Sequence, residues 1–207
     1  GVQGYLRVPF SFKETKVDSY ALSAHKIHGP KGVGALVLAD GARIKPIVAG
    51  GGQQGGLRSG TENTSGIAGM VAAVQSYPSD AMERMRGLKR LLLSLLTEAL
   101  PETTVAGLPV DDPMSAGHIL NVSFPPVRAE TLLHALEADG ICVGTGSACS
   151  SKKGRRSPVL TAMHLPPQVM DSAIRMSLCP FNTEEEMRYT AEKIIERVGQ
   201  LRRFTRR

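Results

Sequence analysis

Segments with the periodicity of β-strands alternate with segments of helical periodicity along this chain of 207 residues. Apolar runs bounded by Gly, Pro or Lys predict buried strands at 19–24 and 33–39, and a run of small apolar residues predicts a helix at 67–77. Further strands are predicted at 103–106, 118–124, 141–143 and 173–178, and further helices at 82–100 and 128–138, near Pro158 and from 183 to about 203. This alternation predicts an α/β or α+β protein.

The segment 82–100 gives the strongest helix prediction. Its apolar residues recur at spacings of three and four and so form one stripe: Met82, Met85, Leu88, Leu92, Leu95 and Leu96. Ser79 or Asp80 can cap its start, and Pro101 ends it. Thr183 and Glu186 have the spacing of a capping box, which predicts the start of the last helix.

A break in the pattern divides the chain. The residues at 77–80, Tyr-Pro-Ser-Asp, separate two periodic helical segments and contain the residue types that end helices. We therefore expect one domain at residues 1–79 and a second at residues 80–207.

The net charge of +6 comes from two short clusters rather than from a broad basic face. Four cations lie at 152–156 and four in the last seven residues, so the remainder of the chain is close to neutral. Aromatic residues make up 4% of the chain and Trp is absent, which disfavours a surface that stacks on nucleic-acid bases. We expect no nucleic-acid partner.

Cysteine usage and hydropathy indicate a cytoplasmic protein. The three cysteines include no CxxC pair, which favours free thiols in a reducing compartment. No apolar run is long enough to span a bilayer, and no signal peptide is visible at the start, so no membrane association is expected. The histidines show no HxxxH or HExxH spacing, and no metal site is expected.

The first candidate for chemistry is the segment SAHKIHGPKGVG, which leaves a predicted strand. It places Ser23, His25 and Lys26 together at a turn. A desolvated Lys beside another cation is a nucleophilic amine, suited to a covalent bond with an aldehyde cofactor. The alternative is an ordinary basic turn, with Lys31 as a rival amine.

A Gly-rich segment at 50–66 contains Arg-Ser-Gly-Thr at 58–61. Glycines allow close approach of the backbone to an anion, and a hydroxyl before a helix N-terminus suits a phosphate. The pattern is not that of a nucleotide P-loop. The alternative interpretation is a surface loop without a ligand.

The segment GTGSACSSKKGRR surrounds Cys149 with small residues and cations, which favour the reactive thiolate. The alternative for Cys149 is an inert surface thiol. Cys142 is predicted to be a buried strand residue, and Cys179, which precedes Pro180, is predicted to be structural.

Arg175 interrupts an otherwise apolar predicted strand. A buried guanidinium needs an anionic partner, and its planar fork suits a carboxylate. The partner is either a ligand or an internal acidic residue.

Together these segments resemble the NifS/IscS-like cysteine desulfurases of the class V aminotransferase superfamily. SAHKIHGPKGVGAL is similar to the cofactor-lysine motif of that family, GGGQQGGLRSGTENTSGIAG to its Gly-rich RSGT segment, and GSACSS to its nucleophile loop. The IRMSL strand followed by NTEEE is similar to its C-terminal motif. The four motifs occur in the family order.

The resemblance implies the C-terminal part of a pyridoxal-phosphate-dependent transferase of fold type I. Residues 1–79 would form the end of the large cofactor domain, and residues 80–207 an α+β small domain that carries the nucleophile loop. The family's chains are about twice this length, so the missing N-terminal half would lie in the same or a separate chain. The Asp that pairs with the pyridine nitrogen would lie immediately before Gly1.

The resemblance also implies a role for each candidate residue. Lys26 would bond covalently to pyridoxal 5'-phosphate, Ser23 and His25 would hold its phosphate, and Gln3 would bond to its hydroxyl. Thr61 would reach the phosphate in the neighbouring subunit of a homodimer. Arg175 would bind the carboxylate of L-cysteine, and Cys149 would take its sulfur as a persulfide for a sulfur-acceptor protein of iron–sulfur cluster assembly or tRNA thiolation.

Two alternatives remain at this point. A selenocysteine lyase or another class V enzyme would share most of these motifs. A catalytically inactive fragment could act only as a binding module through its basic loop and tail.

Overall fold

The computed structural model describes residues 1–145 and 157–205. The chain divides into two compact units, Gly1–Ser79 and Asp80–Arg207. The elements are mixed α and β, in agreement with the predicted fold class. In the described parts of the chain, no helix combines the length and the apolar character needed to cross a membrane.

Unit 1 contains one β-hairpin, two α-helices and two short 3₁₀ turns. Helix α1 spans Phe12–Thr15, strand β1 Ser19–Ser23, a 3₁₀ turn Ala24–Ile27, strand β2 Gly34–Leu38, a second 3₁₀ turn Gln54–Gly56, and helix α2 Thr64–Ser76. Helix α2 begins three residues before the predicted start because Asn63 caps it, accepting a hydrogen bond from the Gly66 backbone N–H.

Strands β1 and β2 form as predicted, but they are not buried in this chain. They pair antiparallel with Ser23 opposite Gly34, and a side chain at Gly34 would collide with the backbone oxygen of Leu22. Leu36 and Val37 are 51% and 43% exposed. Two strands alone cannot cover both of their faces, so the prediction of burial is wrong for the chain by itself.

In the part of unit 2 that the structure describes, a four-stranded sheet is accompanied by five helices. Its elements are α3 (Ala81–Ala99), β3 (Thr104–Val105), β4 (Ile119–Ser123), α4 (Ala129–Ala138), β5 (Gly144–Thr145), α5 (Pro158–Ala162), α6 (Pro167–Ser172), β6 (Ala173–Ser177) and α7 (Glu184–Thr205). The strand order is β3-β4-β6-β5, and all pairs are antiparallel.

The core of unit 2 lies between the sheet and its helices. Helix α3 packs on α7, and α4 packs on α7 and on the sheet. Four residues of the predicted stripe are buried, namely Met85, Leu88, Leu92 and Leu96. The other buried apolar residues include Leu120, Val122, Leu132, Leu136, Ile174 and Ile194.

Helix termini follow the predicted chemistry only in part. The capping box is confirmed: Glu186 N–H donates to Thr183 Oγ1 (3.2 Å), and Thr183 N–H donates to Glu186 Oε2 (3.0 Å). Asp80 occupies the cap position of α3, but its side chain makes no capping hydrogen bond.

The predicted strand at 141–143 is not observed. The strand there is β5, Gly144–Thr145, and the Cys142 side chain is exposed rather than buried. Gly140 ends helix α4 with φ of +76°, and the backbone pairs with β6 only four residues later, so Cys142 lies in the connection between them.

Candidate functional site

Three of the predicted site residues lie on one turn of unit 1, residues 23–27, which we call the lysine turn. Ser23 is the last residue of β1, and the 3₁₀ turn that follows carries His25 and Lys26. Ala24 and Ile27 of the same turn are buried, at 0% and 2% exposed. The apolar positions therefore fix the backbone, while His25 is exposed and Lys26 half-buried.

The side chains of Ser23, His25 and Lys26 have no hydrogen-bond or ion-pair partner among the described residues. In particular, Ser23 precedes the 3₁₀ turn without making a capping hydrogen bond to it. A hydroxyl and an imidazole are suitable donors to a phosphate, and an amine is the group that bonds to an aldehyde. This donor set fits pyridoxal phosphate.

Gln3 is connected to this turn through Arg7, a residue that sequence reasoning missed. The Arg7 guanidinium donates to the backbone oxygen of Lys26 and, through Nη1, to Gln3 Oε1 at 3.2 Å. Gln3 is exposed, whereas Arg7 is only 8% exposed. Arg7 belongs to no periodic pattern and to no motif, so the sequence does not predict that its side chain is buried.

The Gly-rich segment forms a loop that is held by contacts between its own residues. Ser59 is buried, and a side chain at Gly50 would lie 3.0 Å from its Cβ. The Gly60 N–H donates to Gln53 Oε1 at 3.0 Å. Thr61 is exposed, two residues before the cap of α2, and the described hydrogen bonds do not connect it to the lysine turn.

Arg175 lies in the middle of β6 in unit 2, and the expectation that it is buried is wrong. Ile174 and Met176 are buried on one face of the strand, whereas Arg175 is exposed on the other face. No salt bridge from Arg175 to an acidic residue is present among the described residues. Alternation along the strand explains this position, since Ile174 and Met176 take the core side.

Two residues of neighbouring strands flank Arg175. Asn121 of β4 and Gly144 of β5 lie directly opposite it in the register. The Asn121 Oδ1 atom is buried without a hydrogen-bond partner in the part of unit 2 that the structure describes. Arg175 thus presents an exposed guanidinium, a group suited to an anionic ligand, whereas the Asn121 oxygen is buried.

The predicted nucleophile Cys149 lies outside the described residues. The other two cysteines are free thiols: Cys142 is exposed and Cys179 half-buried. The Cys179 N–H donates to Asn182 Oδ1 at 2.8 Å, in the turn that precedes α7. Within residues 1–145 and 157–205, no group of three or more His, Cys, Asp or Glu side chains could hold a metal ion.

Comparison with known proteins gives consistent matches along the chain. The family model described as aminotransferase class V matches residues 1–189. Cysteine desulfurase 2 of Trichormus variabilis is 35% identical over 99% of this chain and 52% of its own length. Cysteine desulfurase IscS of Clostridium botulinum is 36% identical over the same shares of each chain.

A solved structure of a NifS-like protein is 38% identical, with a TM-score of 0.81, and the match covers 97% of this chain and 51% of that one. The chain therefore spans about half the length of the curated relatives it matches. Because the family model covers more than nine-tenths of the sequence, the chain belongs to the aminotransferase class V family.

Proposed function

We propose that this chain is the C-terminal part of a pyridoxal-phosphate-dependent cysteine desulfurase. Such an enzyme releases the sulfur of L-cysteine, leaves L-alanine, and holds the sulfur as a persulfide on Cys149. The observation that carries the proposal is the lysine turn. Its residues Ala24 and Ile27 are buried, and the side chains of Ser23, His25 and Lys26 have no partner among the described residues. The names of the relatives favour this chemistry over a selenocysteine lyase.

Residues of unit 1 would hold the cofactor. When bound, pyridoxal phosphate supplies an electron sink for bond breaking at the substrate. Lys26 would hold it covalently through its amine, and Ser23 and His25 would bind the phosphate as hydrogen-bond donors. Gln3 would bond to the ring hydroxyl, and Thr61 would reach the phosphate of a second subunit in a homodimer.

Arg175 would bind the substrate. Its exposed guanidinium has no carboxylate partner among the described residues, so it can form two parallel hydrogen bonds with the carboxylate of L-cysteine. These two hydrogen bonds would fix the carboxylate end of the amino acid.

Cys149 would act as the sulfur carrier. The Cys149 Sγ takes the sulfur atom of the substrate and later gives it to an acceptor protein of iron–sulfur cluster assembly or tRNA thiolation. The cations at residues 152–156 favour its thiolate form. Free thiols at Cys142 and Cys179 agree with the reducing cytoplasm in which we propose that the enzyme works.

Unit 1 would be the end of the large cofactor domain, and unit 2 the small domain. Activity would require an N-terminal half, on the same chain or another, because the match covers only about half of each curated relative. We use "complete enzyme" for this chain together with that half.

The test is to incubate the complete enzyme with L-cysteine and to measure alanine release and the mass of each cysteine-containing peptide. The proposal predicts alanine formation and one extra sulfur atom on the Cys149 peptide. Cys149→Ser should abolish both, whereas the matched control Cys142→Ser, at an exposed thiol, should retain both. Equal alanine release by Cys149→Ser and the wild type would overturn the persulfide mechanism.

A further inference from the structure

Arg7 is a buried cation that connects three segments of unit 1. Its Nη2 donates to the backbone oxygen of Lys26, its Nη1 to Gln3 Oε1 at 3.2 Å, and its Nε to the Tyr77 hydroxyl at 3.4 Å. Tyr77 lies at the C-terminal end of α2. The guanidinium thus ties the N-terminal turn and the end of α2 to the lysine turn.

Two successive backbone turns contain Gln3 and Arg7. The Tyr5 N–H donates to the Gly1 carbonyl in the first turn, and the Val8 N–H donates to the Gly4 carbonyl in the second. Leu6 has φ of +59°, so the segment is not a helix. The side chain of Gln3 in the first turn accepts a hydrogen bond from Arg7 in the second.

The oxygen atoms around Arg7 are neutral: a peptide carbonyl, an amide and a phenol. In the described parts of the chain, no carboxylate lies within ion-pair distance of its guanidinium. An arginine retains its charge in proteins and can only donate hydrogen bonds. Arg7 therefore needs acceptors, and Gln3 is the acceptor whose side chain is exposed.

This requirement fixes the orientation of the Gln3 amide. Because Arg7 cannot accept a hydrogen bond, the amide oxygen of Gln3 must face it. The NH₂ group of Gln3 then points away from Arg7 and is free to donate. A ligand atom that meets the NH₂ group of Gln3 must accordingly be an acceptor.

We propose that Arg7 is a positioning residue, which holds the main chain at Lys26 and orients Gln3 so that its NH₂ group donates to an acceptor oxygen of the cofactor. This inference rests on the proposed function, because the cofactor is the ligand that it concerns. Arg7 itself acts through Gln3 and the lysine turn and does not touch the cofactor.

The test uses pyridoxal phosphate titrated into the complete enzyme, with its affinity and the wavelength of its visible absorption band as readouts. Arg7→Met should weaken the affinity about tenfold, the effect of losing one well-placed hydrogen bond to a charged or buried group, and should shift the band. In a Gln3→Met background, the same substitution should cost less, because the two residues act together. Arg7→Lys should restore part of the affinity.

Gln3→Glu is a second variant, which tests the role of the Gln3 NH₂ group even if Arg7→Met does not fold. A carboxylate at position 3 still accepts from Arg7, so the melting temperature of the cofactor-free protein should be unchanged or higher. It has no NH₂ group, so the affinity for pyridoxal phosphate should fall about tenfold. A merely structural role of the Arg7–Gln3 pair would leave that affinity unchanged.

Wild-type affinity and absorption in Arg7→Met or in Gln3→Glu would overturn the inference, and so would fully additive effects of Arg7→Met and Gln3→Met. A wild-type complete enzyme that binds no pyridoxal phosphate and releases no alanine would instead overturn the proposed function, and the inference with it. The wild-type titration, performed first, distinguishes the two failures.

Discussion

Arg175 of β6 lies directly opposite Gly144 of β5, and its guanidinium passes across the glycine. A Cβ at position 144 would lie 3.4 Å from Arg175 Nη2. Because Gly144 has no side chain, the guanidinium lies next to its backbone. A branched side chain at position 144 would therefore compete with the guanidinium for the same space.

This relationship predicts the effect of substitutions at position 144. In the complete enzyme, Gly144→Val should displace the guanidinium and raise the KM for L-cysteine about tenfold, comparable with the loss of a charge-assisted hydrogen bond. Gly144→Ala, whose Cβ meets Nη2 at ordinary contact distance, is the matched control and should have a smaller effect. Steady-state kinetics measure both, and an unchanged KM in Gly144→Val would contradict the assignment of Arg175 to the substrate carboxylate.

The ion pair between Asp139 and Arg197 joins the end of α4 to α7. Arg197 Nε and Nη2 donate to the two carboxylate oxygens at 2.8 and 2.6 Å. The hydrogen bonds from Arg197, with its positive charge, hold the pKa of Asp139 below its usual value. A carboxylate with a lowered pKa stabilises the folded state at neutral pH, and this contribution is lost as the pH falls through that pKa.

Asp139→Asn should therefore lower the melting temperature at pH 7, and the difference from the wild type should shrink as the solution is acidified. Glu98→Gln, at an exposed carboxylate of α3, is the charge-matched control. Thermal unfolding followed by circular dichroism across acidic pH measures the difference. A constant difference between Asp139→Asn and the wild type at every pH would show that the pair contributes nothing through ionisation.

Lys89 of α3 is buried, and its ammonium donates to Ser115 Oγ and to the Ala116 carbonyl, both at 3.0 Å. Burial, with a smaller contribution from Arg86, lowers the pKa of Lys89 below its ordinary 10.5. The unfolded chain thus binds more protons than the folded one between the lowered pKa and 10.5. Stability from this group rises with pH across that interval.

The free energy of unfolding of the wild type should accordingly rise relative to Lys89→Met as the pH approaches 10.5. Lys193 gives a control of opposite sign, because its hydrogen bond to Glu196 raises its pKa. The advantage of the wild type over Lys193→Met should be present at neutral pH and decline as the pH rises through that pKa. Urea unfolding at alkaline pH measures both slopes, and equal slopes for the two variants would refute the prediction.

The apolar stripe of α3 predicts which substitutions destabilise unit 2. Leu92 is 1% exposed and Leu95 is half-buried. Leu92→Ala should lower the free energy of unfolding by about 2–5 kcal/mol, the usual cost of a cavity in a core. Leu95→Ala should cost clearly less in the same urea titration, and a similar cost at both positions would contradict the observed orientation of the helix.

The sequence predicted the elements of unit 2 well because their signals are local. The stripe of α3, the Thr183–Glu186 capping box and the apolar run of β6 are signals within one element, and each of the three elements is observed. The candidate site residues were chosen from motifs whose order along the chain does not depend on packing. The lysine turn follows β1 as the sequence predicts.

The sequence could not show what depends on contacts between elements. Whether Arg175 is buried depends on which face of β6 meets the helices, and the exposure of Cys142 depends on where pairing with β6 begins. Arg7 gave no signal, since its partners at positions 26 and 77 are distant in sequence.

The most direct test of the proposed function is to identify the residue to which pyridoxal phosphate attaches. The complete enzyme is loaded with the cofactor, treated with borohydride to make the linkage permanent, digested, and examined by peptide mass spectrometry. We expect the adduct on Lys26, its loss in Lys26→Arg, and its retention in the control Lys31→Arg. An adduct on Lys31, or none on any peptide of this chain, would contradict the claim that the lysine turn of unit 1 is the cofactor site.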